Sequence, residues 1–304
     1  MSFRPFLATV VRSERIAPSF QRVTFTGVDD MGPAVPIRDL RIKLLIPPVS
    51  GLFELPEEGW WETWRAMPEH MRGHLRTYSI REFRRSAEGP DELDVDFVLH
   101  SDSPGPASAW AQDAHPGQQL LIIGPTRDDD SGVGIEFDPG SAAIVRLYGD
   151  ETALPAMARI LGDWPEGLAG SVDIEVPAGN HLPIDSPSQV DIRWHFREEG
   201  DFDYGGLLLA QLKQEVGSRC VSASLETGKP GFVDEAQLDE VWETPTYSSS
   251  GESIASTPDT VGHTYGHTYY WIAGKNTAVT AMRRLLVGEA GVPRHHVSFM
   301  GYWR

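Results

Sequence analysis

The chain has 304 residues, 40% hydrophobic and 10% aromatic, which is enough for two packed domains and too apolar for a disordered chain. Its 44 acidic residues against 26 lysines and arginines leave a formal net charge of −18, which excludes nucleic acid and anionic membrane surfaces as general partners. The single cysteine, Cys220, excludes an internal disulfide and any all-cysteine zinc or iron–sulfur site. No apolar run approaches the roughly 18 residues of a membrane span, and the N-terminus lacks the apolar core and cleavage site of a signal peptide. A cytoplasmic location is therefore expected.

Residues 1–140 read as β-rich. Apolar and β-branched runs lie at 6–16, 20–28, 39–47, 75–83, 92–100 and 118–125. Turn residues punctuate them: Gly27 to Asp30, Pro47-Pro48, Gly89-Pro90-Asp91 and Pro116-Gly117. Six such strands predict a closed or nearly closed antiparallel β-barrel. An insertion at 51–74 carries Trp60, Trp61 and Trp64 and reads as a helical flap whose tryptophans cover a barrel end. Gly105 and Pro106 open a short helix from Ala107. A helix start of this kind leaves amide hydrogens pointing outward, and its partial positive charge suits a phosphate.

Residues 141–304 change pattern. Continuous apolar runs at 143–149, 171–177, 190–196, 220–226 and 269–274 read as strands. Helical periodicity at 156–164, 206–216 and 276–289 alternates with them, which predicts a Rossmann-like α/β domain with a parallel sheet. Residues 245–268 are rich in Ser, Thr and Gly and read as a mobile loop. His263 and His267 fall there without helix formers between them and carry no metal-site argument.

Between Arg65 and Arg85 stand six arginines against Glu69 and Glu82, on a strongly acidic chain. An anion site and a solvated surface strand both fit that excess. Within it lies Arg76-Thr77-Tyr78-Ser79. An arginine fork pairs bidentately with a pyrophosphate, and a tyrosine ring stacks on a planar isoalloxazine. A serine hydroxyl can bond flavin N5, the atom that accepts hydride. Strand alternation puts Arg76 and Tyr78 on one face, Thr77 and Ser79 on the other.

These four residues match the Arg-x-Tyr-Ser/Thr motif of the ferredoxin-reductase superfamily, whose flavin reductases join a barrel to an α/β domain. Further blocks occur in order: Asp94 to His100, Gly105 to Ala111, Gly149 to Ala156, Ile272 to Gly274, and Gly301 to Arg304. Together they resemble the siderophore-interacting protein family over nearly the whole chain. That resemblance implies FAD held by Arg76, Thr77, Tyr78 and Ser79, with Ser79 as the catalytic group. It places Asp96, Val98 and His100 along the ribityl and adenine side. It places Ala107 and Ser108 at the pyrophosphate, and Thr152 and Trp303 against the flavin. It implies reduction of ferric siderophores, hard oxygen chelates that hold Fe(III) far better than Fe(II). Lys43, Arg65, Arg72 and Lys275 are candidates for a basic cleft that attracts the chelate.

The superfamily's Gly-x-Gly-x-x-Pro turn reads here Asp150-Glu151-Thr152-Ala153-Leu154-Pro155, with two carboxylates where a dinucleotide's pyrophosphate would lie. NADH or NADPH is expected as electron donor, NADH preferred because no arginine pair stands out for a 2′-phosphate. A ferredoxin is an alternative donor. Two other functions stay open at this point: a general NAD(P)H–flavin oxidoreductase with a protein or quinone acceptor, and a non-catalytic siderophore-binding flavoprotein.

Overall fold

A computed structural model describes residues 3–99, 104–198, 204–220, 242–244, 247–248 and 268–304. They divide into two units. One comprises Met1–Ile135 with Ala158–Asp163 and Leu182–Ile184; the other comprises Glu136–Met157, Trp164–His181 and Asp185–Arg304.

The first unit is a curled antiparallel sheet of seven strands: β1 (Phe3–Ala17), β2 (Phe20–Thr26), β3 (Arg41–Ile46), β4 (His74–Ser79), β5 (Glu82–Arg84), β6 (Glu92–Val98) and β7 (Gln119–Pro125). Their order is β4-β3-β7-β1-β2-β6-β5. Seven strands replace the six expected because the run at 75–83 is two strands. Only Ile80 and Arg81 separate β4 from β5, yet these strands lie at opposite ends of the hydrogen-bonded order. The sheet must curl for two residues to join its ends. Ile80 N–H donates to Leu40 C=O and Arg81 N–H to Asp94 C=O at the crossing.

Alternation fills the concave side. Phe6, Ala8 and Val10 of β1, Val23 and Phe25 of β2, Ile42 and Leu44 of β3, and Leu93, Val95 and Phe97 of β6 form one core. Helix α2 (Pro106–Gln112) adds Ala107, Trp110 and Ala111 to it. Trp110 lies 6.1 Å from the Phe25 ring and 5.8 Å from Phe97. The opposite side of β3 and β7 carries a smaller layer, Leu45, Leu121 and Ile123, covered by Trp60 and Trp64 of helix α1 (Trp60–Ala66). The flap therefore covers the sheet's outer face and not a barrel end.

The second unit is built on β8 (Ile144–Asp150), β9 (Ala169–Pro177), β10 (Val190–Arg197), β11 (Trp242–Thr244), β12 (Tyr247–Ser248), β13 (Thr268–Lys275) and β14 (Val297–Trp303), in the order β10-β9-β8-β13-β14-β11-β12. The run β10-β9-β8-β13-β14 is parallel, and β11 joins β14 antiparallel. Central β13 is buried along Thr268 to Gly274, as a parallel strand covered on both faces must be. Helices α4 (Gly206–Cys220) and α5 (Asn276–Arg283) cover one face through Leu208, Leu212, Val279 and Met282 against Tyr148, Tyr270 and Phe299. Helix α3 (Leu154–Gly162) follows β8.

The strand expected at 220–226 is not seen at its first residue, since Cys220 closes α4, and its remainder lies outside the described residues. The same holds for 245–268 apart from Tyr247–Ser248, which form β12, and Thr268, which begins β13. Among the described residues, no helix is long and apolar enough to cross a membrane.

Candidate functional site

Strand β4 ends the hydrogen-bonded order of its sheet and pairs only with β3 among the described residues, so its other edge keeps free backbone donors and acceptors. Tyr78 turns toward the core, its ring 4.6 Å from Phe97, and burial pushes its hydroxyl well above the ordinary tyrosine range. Arg76 shares that face but is exposed, and its Nη1 donates at 3.0 Å to the neighbouring Leu75 carbonyl. Among the described residues it makes no ion pair. On the other face Thr77 accepts from Lys43 Nζ at 3.2 Å, its register partner on β3. Ser79 is buried at the strand end, and its hydroxyl makes no hydrogen bond among the described residues.

Helix α2 packs against β2, β3, β4 and β6. Gly105 begins it without a side-chain cap, and a Cβ built there meets nothing within 4 Å. Ala107 and Ser108 are buried in its first turn. The Trp110 indole N–H is buried with no acceptor among the described residues, which costs about 1–3 kcal/mol unless a bound group supplies one. A free strand edge, an unpaired exposed arginine, an open uncapped helix start and an orphaned buried donor are chemically suited to a planar ring system bearing a pyrophosphate. The described residues fit FAD.

Asp96, expected along the flavin, is paired within the sheet. Its carboxylate is 1% exposed and takes the Arg22 fork at 2.7 and 2.8 Å from the facing position on β2. Asp94, two residues earlier, takes the Thr24 hydroxyl at 2.7 Å and the Arg84 fork at 2.6 and 2.8 Å. Burial works to raise the Asp94 carboxyl, but Arg84 and Thr24 outweigh it and hold it below the usual range. Val98 is buried on the same alternating side as both, and His100 lies outside the described residues.

The arginine cluster thus splits. Arg81 faces Asp96 and Glu82, Arg84 faces Asp94 and Glu92, and Arg85 bonds Asp91. Arg65, Arg72 and Arg76 make no ion pair among the described residues. Arg65 lies over the Trp61 ring at 5.6 Å and Arg72 over Trp64 at 4.9 Å.

In the second unit, Asp150 ends β8 and Glu151 follows it where the strand order reverses, the position at which open α/β sheets bind ligands. Asp150 is buried and accepts four donors. Thr152 N–H and hydroxyl meet one oxygen at 2.9 and 2.5 Å. Lys275 N–H and the Trp303 indole meet the other at 2.8 and 2.9 Å. Gly274, at φ +147°, lies so close that a Cβ there would stand 2.6 Å from Asp150 Oδ2. Glu151 bonds Arg197 at 2.6 Å, and Arg197 also bonds Glu175 at 2.9 Å. Glu175 in turn accepts the Gly205, Leu207 and Leu208 amides at the start of α4. Burial, then the neighbouring Asp150 charge, push the Glu151 carboxyl up to about 7 against the pull of Arg197.

Amides that a Rossmann-like sheet offers to phosphate are here met by the chain's own carboxylates. Lys275 Nζ and the Trp303 and Tyr204 rings gather beside them, each ring 5.1 Å from the ammonium. The register of these partners, separated by 125 and 153 residues from Asp150, left no sequence signal beyond the acidic pair itself.

An antiparallel curled sheet followed by a parallel α/β sheet defines the ferredoxin-reductase-like class. The chain is similar to the ferredoxin reductase of carbazole 1,9a-dioxygenase, with TM-score 0.57 and 13% identity over 99% of this chain and 68% of that one, a likeness of fold. Within that class, a family model for the siderophore-interacting FAD-binding domain matches residues 9–129, and one for siderophore-interacting protein matches residues 142–304. The chain belongs to the siderophore-interacting protein family. It is 27% identical to the ferric vibriobactin reductase ViuB of Vibrio cholerae, across 99% of this chain and 89% of that protein. It is 34% identical to the NADPH-dependent ferric-chelate reductase of Escherichia coli over 50% of this chain and 54% of the relative. The crystal structure of siderophore-interacting protein SipS from Aeromonas hydrophila has a TM-score of 0.63 and 25% identity, covering 100% of this chain and 93% of that one.

Proposed function

We propose that this protein is an FAD-dependent ferric-siderophore reductase that releases iron as Fe(II) from imported chelates, with electrons from a nicotinamide nucleotide. The observation that carries the reading is β4, a terminal strand with a free edge. Among the described residues it bears exposed Arg76 without an ion pair on one face and the Ser79 hydroxyl without a hydrogen bond on the other. FAD, when bound, accepts an electron pair and passes electrons on singly, which is what a one-electron acceptor such as Fe(III) requires.

The chain's own residues do the rest. Arg76 and the α2 amides near Ala107 and Ser108 neutralise the pyrophosphate, and Tyr78 braces the ring plane from the core. The Ser79 hydroxyl would donate a hydrogen bond to N5. Asp96 acts through Arg22, holding β2 against β6, while Val98 continues that face. Thr152 and Trp303 keep their proposed flavin role. Lys43, Arg65, Arg72 and Lys275 supply the positive charge that draws in an anionic chelate.

NADH is proposed over NADPH because the arginines of β10 are already engaged, Arg193 with Asp173 and Arg197 with Glu151 and Glu175. The E. coli relative, named as NADPH-dependent, makes the comparison of donors direct. Anaerobic mixing of the purified protein with NADH, NADPH or reduced ferredoxin, followed by a ferric siderophore and an Fe(II)-trapping chromogen, tests the reading. Bleaching of a yellow protein and Fe(II) formation are expected; a protein purified gently without flavin would overturn it. Arg76→Ala is expected to lose FAD, and full retention would show that β4 is not the flavin strand.

A further inference from the structure

Helix α1 packs three tryptophans into seven residues, and none of its residues is buried. Two have structural work. Trp60 and Trp64 cover Leu45, Leu121 and Ile123, and their indoles donate to the Phe3 and Arg72 carbonyls at 3.2 and 2.8 Å. Trp61 has none of this. It stacks on Trp64 at 5.3 Å and 23° and remains 39% exposed. Arg65 lies over Trp61 and Arg72 over Trp64, so two guanidinium planes flank two indoles. Leu52 and Met71 are also exposed, at 38% and 45%. Exposed aromatic area forgoes the gain of burial, and a cluster of it marks a binding surface. Acids outnumber bases 44 to 26 in this chain, yet Arg65 and Arg72 carry no carboxylate among the described residues.

The surface adjoins the flavin strand. Leu75 of β4 packs in the same outer layer as Trp64. The Thr77–Lys43 pair comes next on that face, then Ser79. At about 3.3 Å per strand residue, the step from Leu75 to Ser79 is roughly 13 Å.

We propose that the face formed by Trp61, Arg65 and Arg72 selects the substrate, favouring anionic ferric chelates whose iron is wrapped by aromatic rings, catecholate or phenolate, over aliphatic hydroxamates. This rests on the ferric-siderophore reading. Stacked indole and guanidinium planes attract flat aryl rings. The two cations match a chelate that keeps negative charge after binding Fe(III). A neutral aliphatic chelate gains from neither.

Gallium(III), which is not reduced here, separates recognition from turnover. Ga(III) tris-catecholate and a Ga(III) trihydroxamate are titrated into the flavin-loaded protein, with tryptophan fluorescence and calorimetry as readouts. The catecholate is expected to bind at least tenfold more tightly. Trp61→Ala combined with Arg65→Gln should remove most of that ratio, and Trp61→Phe should restore part of it. Both side chains are exposed, so thermal midpoint and flavin content should stay at the wild-type values. Equal affinities in the wild type, or an unchanged ratio in the double variant, would overturn the proposal. A Trp61-dependent preference for the gallium catecholate without reduction of its ferric counterpart would sink the reductase reading and leave this surface standing. Reduction of both ferric chelates with no preference would do the reverse.

Discussion

Asp96 and Arg22 meet in a bidentate pair whose carboxylate is almost wholly out of water. Removing one partner of such a pair strands the other, at a cost of about 3–5 kcal/mol. Arg22→Ala is therefore expected to lower the urea midpoint of the flavin-free protein as well as of the loaded one. A loss seen only in the loaded form would mean that Asp96 serves the flavin directly. Glu151 makes a different prediction. Its folded carboxyl is raised to about 7, above its usual 4.5, so between those values the folded state binds more protons than the unfolded. Stability from this group is present at low pH and is lost as pH rises toward 7. Thermal midpoints should fall across that window, and Glu151→Gln should flatten the fall by on the order of 1–3 kcal/mol. Arg197 keeps Glu175 in that variant, so the α4 start stays anchored.

At the scale of elements, close packing at the switch point explains why β8 carries a glycine just before its acidic pair. A Cβ on Gly149 would stand 2.6 Å from Ala153 Cβ and 2.7 Å from Met157 Sδ, so strand and following helix leave no space. Gly149→Ala is expected to destabilise by about 1–3 kcal/mol, read by denaturant titration. The crossing from β4 to β5 rests on Ile80, wholly buried in the barrel-like core. Replacing it with alanine should cost about 2–5 kcal/mol.

For the whole molecule, the balance of charge decides how an anionic chelate approaches. A net charge of −18 repels it at long range. Three arginines without carboxylate partners among the described residues, Arg65, Arg72 and Arg76, lie within twelve residues of sequence on one unit, where they create a local positive field. Rising salt screens both effects over a Debye length of about 8–10 Å. Because the repulsion is long-ranged and the arginine contacts lie within a Debye length, salt removes more of the repulsion than of the attraction, so kcat/KM for a multiply charged ferric chelate should rise with salt, whereas that for a neutral chelate should hold. Stopped-flow rates across a salt series check this, and parallel slopes for the two chelates would contradict it.

Strand alternation was legible residue by residue, since Leu93, Val95 and Phe97 face one way and Asp94 and Asp96 the other whatever their neighbours. The change to continuous apolar runs after residue 141 likewise announced a parallel sheet, and the Arg76 to Ser79 motif with its ordered companions announced the family. Local pattern carries these because it depends on side-chain period and motif order alone. Partners far apart in sequence were hidden. Nothing in the run at 75–83 shows that the chain crosses from one end of a sheet to the other after Ser79. Half the arginine cluster is tied to carboxylates only because β5 pairs with β6. Asp150, read as an anion opposing a nucleotide, is tied to Thr152, Lys275 and Trp303 because β8, β13 and β14 lie side by side. Local pattern was enough for most of the elements, for the family and for the chemical groups available. Tertiary structure alone decided which of those groups are already paired, because pairing depends on strand register, which residue order does not contain.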